Sequence, residues 1–231
     1  MKVAIMQPYF LPYIGYFQLI GAVDLFVVYD NIKYTKKGWF NRNRFLQNGG
    51  DAYFSIPIAS DSDSLDVVER AIAPSFDRLK LLNQIQGAYR RAPHFAQGFE
   101  LLRECVEHDD HNLFRFLHRS ILATAARLSL DTRIVVSSTL PIDHSLRAHE
   151  KVLAICGALG ATTYINPIGG TALYSAPDFA ERGVDLRFLQ PRPLEYHQFG
   201  EPFVPWLSIL DLLMFNPADE VKAMLDEFDL V

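Results

Sequence analysis

Cysteine is scarce in this chain: its 231 residues hold only Cys105 and Cys156, too few for a disulfide framework or a cysteine-based zinc site. Long apolar runs are missing as well. No stretch approaches the roughly 20 residues that a membrane-spanning helix needs, and Pro8 and Pro12 interrupt the first apolar segment too early for a signal sequence. The expected compartment is therefore the cytoplasm. Neither sign of charge dominates, since the formal net charge is −5, and mild acidity argues against nonspecific coating of nucleic acid. Phosphate-loop, nucleophile-elbow and dinucleotide glycine motifs are absent. The histidines have no metal-ligand spacing, so no metal site is expected. Cys156, set between Ile155 and Gly157 in a helical stretch, reads as a core residue.

What is present is a well-balanced globular composition, with 49% hydrophobic and 21% charged residues. Lys2 to Met6 is a short apolar run closed by Gln7-Pro8, a first strand. Pro12 suits the opening of a helix reaching Gly21, and Asp24 to Tyr29 is a β-branched and aromatic second strand. Strand, helix, strand is the unit of a parallel sheet. Asn48-Gly49, between Phe45-Leu46 and Ala52 to Ile58, marks a hairpin. Residues 62–130 then turn helical, and alternation of strands and helices resumes from Arg133 to Gln190. The pattern predicts an α/β fold with a Rossmann-like, mostly parallel sheet, a β-hairpin, and an inserted helical subdomain within one domain. C-terminal helices are expected near Pro205 and Pro217.

Four constellations carry candidate chemistry. The first strand runs into Gln7-Pro-Tyr9-Phe-Leu-Pro-Tyr13-Ile-Gly-Tyr16, at the place where open parallel sheets bind ligands. Its tyrosines offer stacking faces and hydroxyl donors; the alternative is an aromatic helix packed on the sheet. The spacing of Tyr13 and Tyr16 is similar to the two-histidine loop of nucleotidyltransferases, with tyrosine a poor substitute for a cationic donor. Next, Lys33, Trp39, Asn41, Arg42, Asn43 and Arg44 follow the second strand. If this segment is extended, both guanidiniums share one face, ready for bidentate pairing with phosphate or carboxylate. A solvated basic loop is the competing reading. Asn166, Gly169, Gly170 and Tyr174 follow another strand, and the paired glycines suit an anion-binding backbone nest. Finally, Ser208 and Asp211 share a face of an apolar C-terminal segment. A carboxylate there either pairs with a structural Arg or Lys or faces the cleft as a ligand contact or general base.

These same segments, from Gln7 to Ile20, through Tyr29-Asp30 and Gly38-Trp-Phe-Asn-Arg-Asn-Arg44, then Leu159 to Asn166, and on to Phe203 to Asp211 and Asn216, resemble the WbqC-like family along nearly the whole chain. The resemblance implies a place in bacterial O-antigen or surface-polysaccharide assembly, and a transferase that modifies a nucleotide-activated amino sugar by aminoacyl, glycyl or acyl transfer. In that reading Arg42, Arg44 and Lys33 neutralise a diphosphate and Trp39 or Tyr9 stacks on base or sugar. Asn41, Asn43 and Asn166 read hydroxyls, and Asp30 or Asp211 is the general base. The partner is a nucleotide-sugar or other anionic small molecule, with an acyl or aminoacyl donor as co-substrate. A nucleotidyl-transfer or adenylating enzyme, which would need Mg²⁺ with its nucleotide, and a non-catalytic sugar-nucleotide-binding protein are the alternatives.

Overall fold

A computed structural model describes residues 1–200 and 202–231. The first strand, β1 (Lys2–Met6), leads into α1 (Ile14–Gly21) and β2 (Leu25–Val28). The hairpin follows as β3 (Arg42–Gln47) and β4 (Gly50–Ser55), then three helices, α2 (Arg78–Tyr89), α3 (Phe95–Val106) and α4 (Leu113–Arg127). Next come β5 (Arg133–Val136), α5 (Ala148–Leu159), β6 (Thr163–Pro167), α6 (Ala176–Ala180) and β7 (Asp185–Pro191). The chain closes with α7 (Ile209–Phe215), α8 (Ala218–Ala223) and β8 (Phe228–Leu230).

Six strands form one sheet in the order β5-β2-β1-β6-β7-β8, parallel except for β8, and β3 pairs with β4 in a separate two-stranded sheet. Counted along the chain, the large sheet reads 3-2-1-4-5-6, the doubly wound order whose switch point lies between β1 and β6. All four residues of β2 are buried, as a strand covered on both faces requires. The side-chain period of two divides them: Phe26 and Val28 join α1 and the helices α2–α4 in one apolar cluster, whereas Leu25 and Val27 join α5 and α6 in another.

The hairpin turn has Asn48 at φ 52° and Gly49 at φ 78°, two left-handed residues as a type I′ turn demands. The C-terminal edge strand β8 is an element that sequence patterning did not suggest, because three residues carry too little periodicity. The penultimate helix starts at Ile209 rather than near Pro205. Before it, Trp206 adopts φ 61°, outside the helical region.

Candidate functional site at the sheet switch point

A cavity of about 670 Å³ opens where the strand order reverses, within the range usual for small-molecule sites. Gln7 at the end of β1, Tyr29 after β2 and Asn166 on β6 form its base, and Gly169, Gly170 and Tyr174 one flank. Asn31, Lys33, Ser64, Asp66, Arg147 and His149 complete the polar lining.

The N-terminus of α5 meets this cavity through Ala148 and His149. No side chain caps it, so its first N–H groups and the positive end of the helix dipole are open to an anion. Arg147 precedes the helix, and Ala148 is held at φ 48°, a left-handed conformation unusual for alanine. One turn on, Lys151 is only 1% exposed; its ammonium lies 5.0 Å from the centre of the Tyr29 ring and donates to the Asn31 carbonyl at 3.4 Å. Burial, then the neighbouring Arg147, holds this ammonium below the usual lysine range. Asp66 lies above the usual carboxylate range, through desolvation first and Glu69 second. Burial also raises the Tyr29 hydroxyl, to about 12. His149 Nε2 stands 3.8 Å from an Asp178 carboxylate oxygen, longer than a hydrogen bond, and both side chains are exposed.

The sequence-derived candidates separate into three groups. Gln7, Lys33, Asn166, Gly169, Gly170 and Tyr174 meet at the cavity. The two glycines do not form the expected nest, since neither has a positive φ: residues Ile168–Leu173 are a 3-10 turn, and Gly170 instead makes room for the Asn166 amide, which a Cβ would strike.

A second group holds the bend after β1. Leu11 sits at φ 43°, and the Asn43 amide donates to the Phe10 and Leu11 carbonyls at 3.1 and 2.6 Å. Ser208 Oγ donates to Leu11 O at 2.6 Å and caps α7 by accepting from Leu210 N. Tyr9 and Tyr16 meet edge to face in the core. Tyr13 stands at the N-cap of α1, away from the cavity. Asn41 donates to Ile56 O at 2.7 Å and accepts from the Tyr34 hydroxyl.

The third group lies on the hairpin. Arg42 donates to the Gly38 and Lys37 carbonyls at 3.0 and 2.6 Å, and its guanidinium lies 5.6 Å from the Trp39 ring centre. Trp39 stacks on Tyr53, while Arg44 pairs with Asp51 and donates to the Trp206 carbonyl at 2.9 Å. The guanidiniums do share a face, as an extended segment dictates, and that face does not line the switch-point cavity.

Both candidate bases are engaged elsewhere. Asp30, 1% exposed, accepts from Ser137 Oγ at 2.7 Å and Ser138 N at 3.0 Å, which ties the end of β2 to the turn after β5. Asp211 is fully buried and takes neither a cation nor the cleft as partner: it accepts from Tyr196, Tyr89 and Gln198 at 2.5, 2.6 and 2.9 Å. Desolvation raises its carboxyl above the usual range, and these three donors oppose the rise. The thiols of Cys105 and Cys156 are buried and pushed up to about 12 by desolvation, which is unlike an activated nucleophile. Sequence reasoning passed over Arg147 and His149, whose only available signal was position: both sit at the opening of a helix that follows a sheet strand.

No described helix is long and apolar enough to cross a membrane. No solved structure matches the chain. An uncharacterised protein of Mycobacterium tuberculosis, Rv1507c, is 28% identical over 222 residues, covering 95% of each chain. The model of the WbqC-like protein family matches residues 7–223, a span that contains the bend after β1, the buried Asp211 cluster and all the lining of the switch-point cavity except Ile5 and Met6. The chain belongs to the WbqC-like protein family.

Proposed function

We propose that the chain is a transferase that binds a nucleotide-activated amino sugar in the switch-point cavity and acylates or aminoacylates its amine, as a step in surface-polysaccharide assembly. The observation that carries the reading is the uncapped N-terminus of α5, flanked by Arg147 and lining, with Lys33, one cavity at the sheet's carboxyl edge. Backbone N–H groups, a helix dipole and two cationic side chains together form a seat for a diphosphate. Tyr29 and Tyr174 supply aromatic surface, and the amide groups of Gln7 and Asn166 supply donors and acceptors for sugar hydroxyls.

In this mechanism His149, at the mouth of the cavity, takes a proton as the acceptor amine attacks the donor's acyl carbon. The C–N bond forms, the bond from the acyl carbon to the donor's leaving group breaks, and the leaving group carries away the proton returned by His149. Arg42 and Arg44 keep the hairpin and the Trp206 loop in place and do not hold ligand.

Isothermal titration with UDP-N-acetylglucosamine tests the seat. Arg147→Ala and Lys33→Ala should each weaken binding at least tenfold, a loss of about 1.4 kcal/mol, whereas Arg42→Ala with Arg44→Ala should leave affinity within about twofold, because those guanidiniums lie outside the cavity. His149→Ala should retain binding and lose product formation, read by mass spectrometry with a UDP-amino sugar and an acyl or aminoacyl donor. Unchanged affinity in Arg147→Ala overturns the assignment of the seat, and full turnover in His149→Ala overturns that of the base.

A further inference from the structure

A second cavity, of about 450 Å³, shares no lining residue with the first. It lies between the N-terminus of α1, the segment after β7 and the loop before α7, and its walls include Tyr13, Tyr196, Phe203 and Trp206. Trp206 remains 60% exposed, and its ring meets Tyr13 at 5.9 Å in an edge arrangement. A bulky residue at φ 61° is an energetic outlier that persists only where surroundings impose it. Here Arg44 donates to the Trp206 carbonyl and the Ser208 N–H is tied to Arg44 O. The loop is thus locked in a form that leaves a large aromatic face exposed at the cavity.

Two acceptors stand beside this cavity. Gln18 is 1% exposed, and its amide nitrogen donates to both Met224 O and Glu227 O at 3.1 and 3.0 Å, which fixes the orientation of the amide. Its carbonyl oxygen is then buried with no partner among the described residues, an arrangement that costs about 1–3 kcal/mol when left unmet. Tyr196 gives its proton to Asp211, so its oxygen can offer the cavity only lone pairs. Charge points the same way. The lining cation, Arg192, is paired with Asp229 and Glu227 outside the lining, Arg44 behind Trp206 is paired with Asp51, and the lining carboxylate Glu195 has no ion-pair partner among the described residues. Aromatic faces, hydrogen-bond acceptors and the unpaired Glu195 carboxylate together select a cation that carries N–H donors.

We propose that this cavity is a second ligand site, which binds a primary ammonium group carried on a hydrocarbon ring. The ammonium donates to the Gln18 carbonyl and the Tyr196 oxygen, and the ring packs on Trp206 and Tyr13. This inference does not depend on the switch-point transferase reading.

Cyclohexylamine and cyclohexanol form a test pair of equal shape and different charge. In Trp39→Phe protein Trp206 is the remaining tryptophan, so its fluorescence reports on this loop. Cyclohexylamine should change that fluorescence saturably and bind at least tenfold tighter than cyclohexanol. Trp206→Gly, which keeps the left-handed backbone without strain, should lose at least tenfold in calorimetric affinity for the amine with no fall in melting temperature. If Trp206→Gly does melt lower, Tyr13→Leu serves as the independent wall variant, with the same loss expected. No saturable response to the amine, equal binding of the alcohol, or unchanged affinity in the folded wall variants each overturns the proposal.

Discussion

Asp211 shows how far a single side chain can organise its surroundings. Two tyrosine hydroxyls and a glutamine amide converge on one buried carboxylate, joining α2, the segment before α7, and α7 itself. Charge-assisted bonds of this kind are shorter and stronger than neutral ones. Asp211→Ala leaves three buried donors without an acceptor and should destabilise the fold by about 3 kcal/mol or more in urea denaturation. The carboxyl also titrates above its unfolded value, so the folded state holds the proton more tightly. Its contribution is present in full below the ordinary carboxylate range and is lost as pH rises through the raised folded value. Over that window the parent protein should lose stability relative to Asp211→Asn, measured as parallel urea midpoints across pH. Identical pH profiles would contradict the assignment. A buried carboxylate in an apolar helix was legible in the sequence. Its partners were not, because Tyr89 lies 122 positions away and no local spacing connects them.

At the scale of elements, the hairpin is a buttress. Its Asn43 holds the bend after β1, its Arg44 holds the Trp206 loop, and the Tyr89 hydroxyl ties its Leu46 N–H to α2. Register therefore matters beyond the hairpin. Gly49→Ala places a Cβ at φ 78° and should cost about 1 kcal/mol in thermal or chemical unfolding, with affinity at the switch-point cavity unchanged. A loss of that affinity with the fold intact would show the hairpin to be part of the site. The turn itself was legible, since Asn-Gly between apolar runs has few alternatives. The extended spacing also placed Arg42 with Arg44 and Asn41 with Asn43. What the spacing left undetermined was where each face points. The arginines turn to backbone carbonyls, Trp39 and Tyr53, and the asparagines to interior carbonyls, so residue types suited to ligand binding serve as internal fasteners.

At the scale of the molecule, the doubly wound order follows from the alternation of strands and helices, and it concentrates the ends of β1, β2 and β6 around one crevice. Gln7, Lys33 and the Asn166 to Tyr174 segment were recognisable because each lies at or soon after the end of a strand. Arg147 and His149 come from the start of a helix, and only the assembled sheet shows that α5 opens onto the same crevice. The parallel sheet thus has two cavities near its carboxyl edge: one cationic at the switch point, and one aromatic and acceptor-rich beside α1.

A crystal structure of the chain with UDP-N-acetylglucosamine tests the central claim most directly. The diphosphate should lie within hydrogen-bonding distance of the Arg147 guanidinium and the first N–H groups of α5. A diphosphate bound instead on Arg42, Arg44 and Trp39, or a switch-point cavity left empty at saturating ligand, would contradict it.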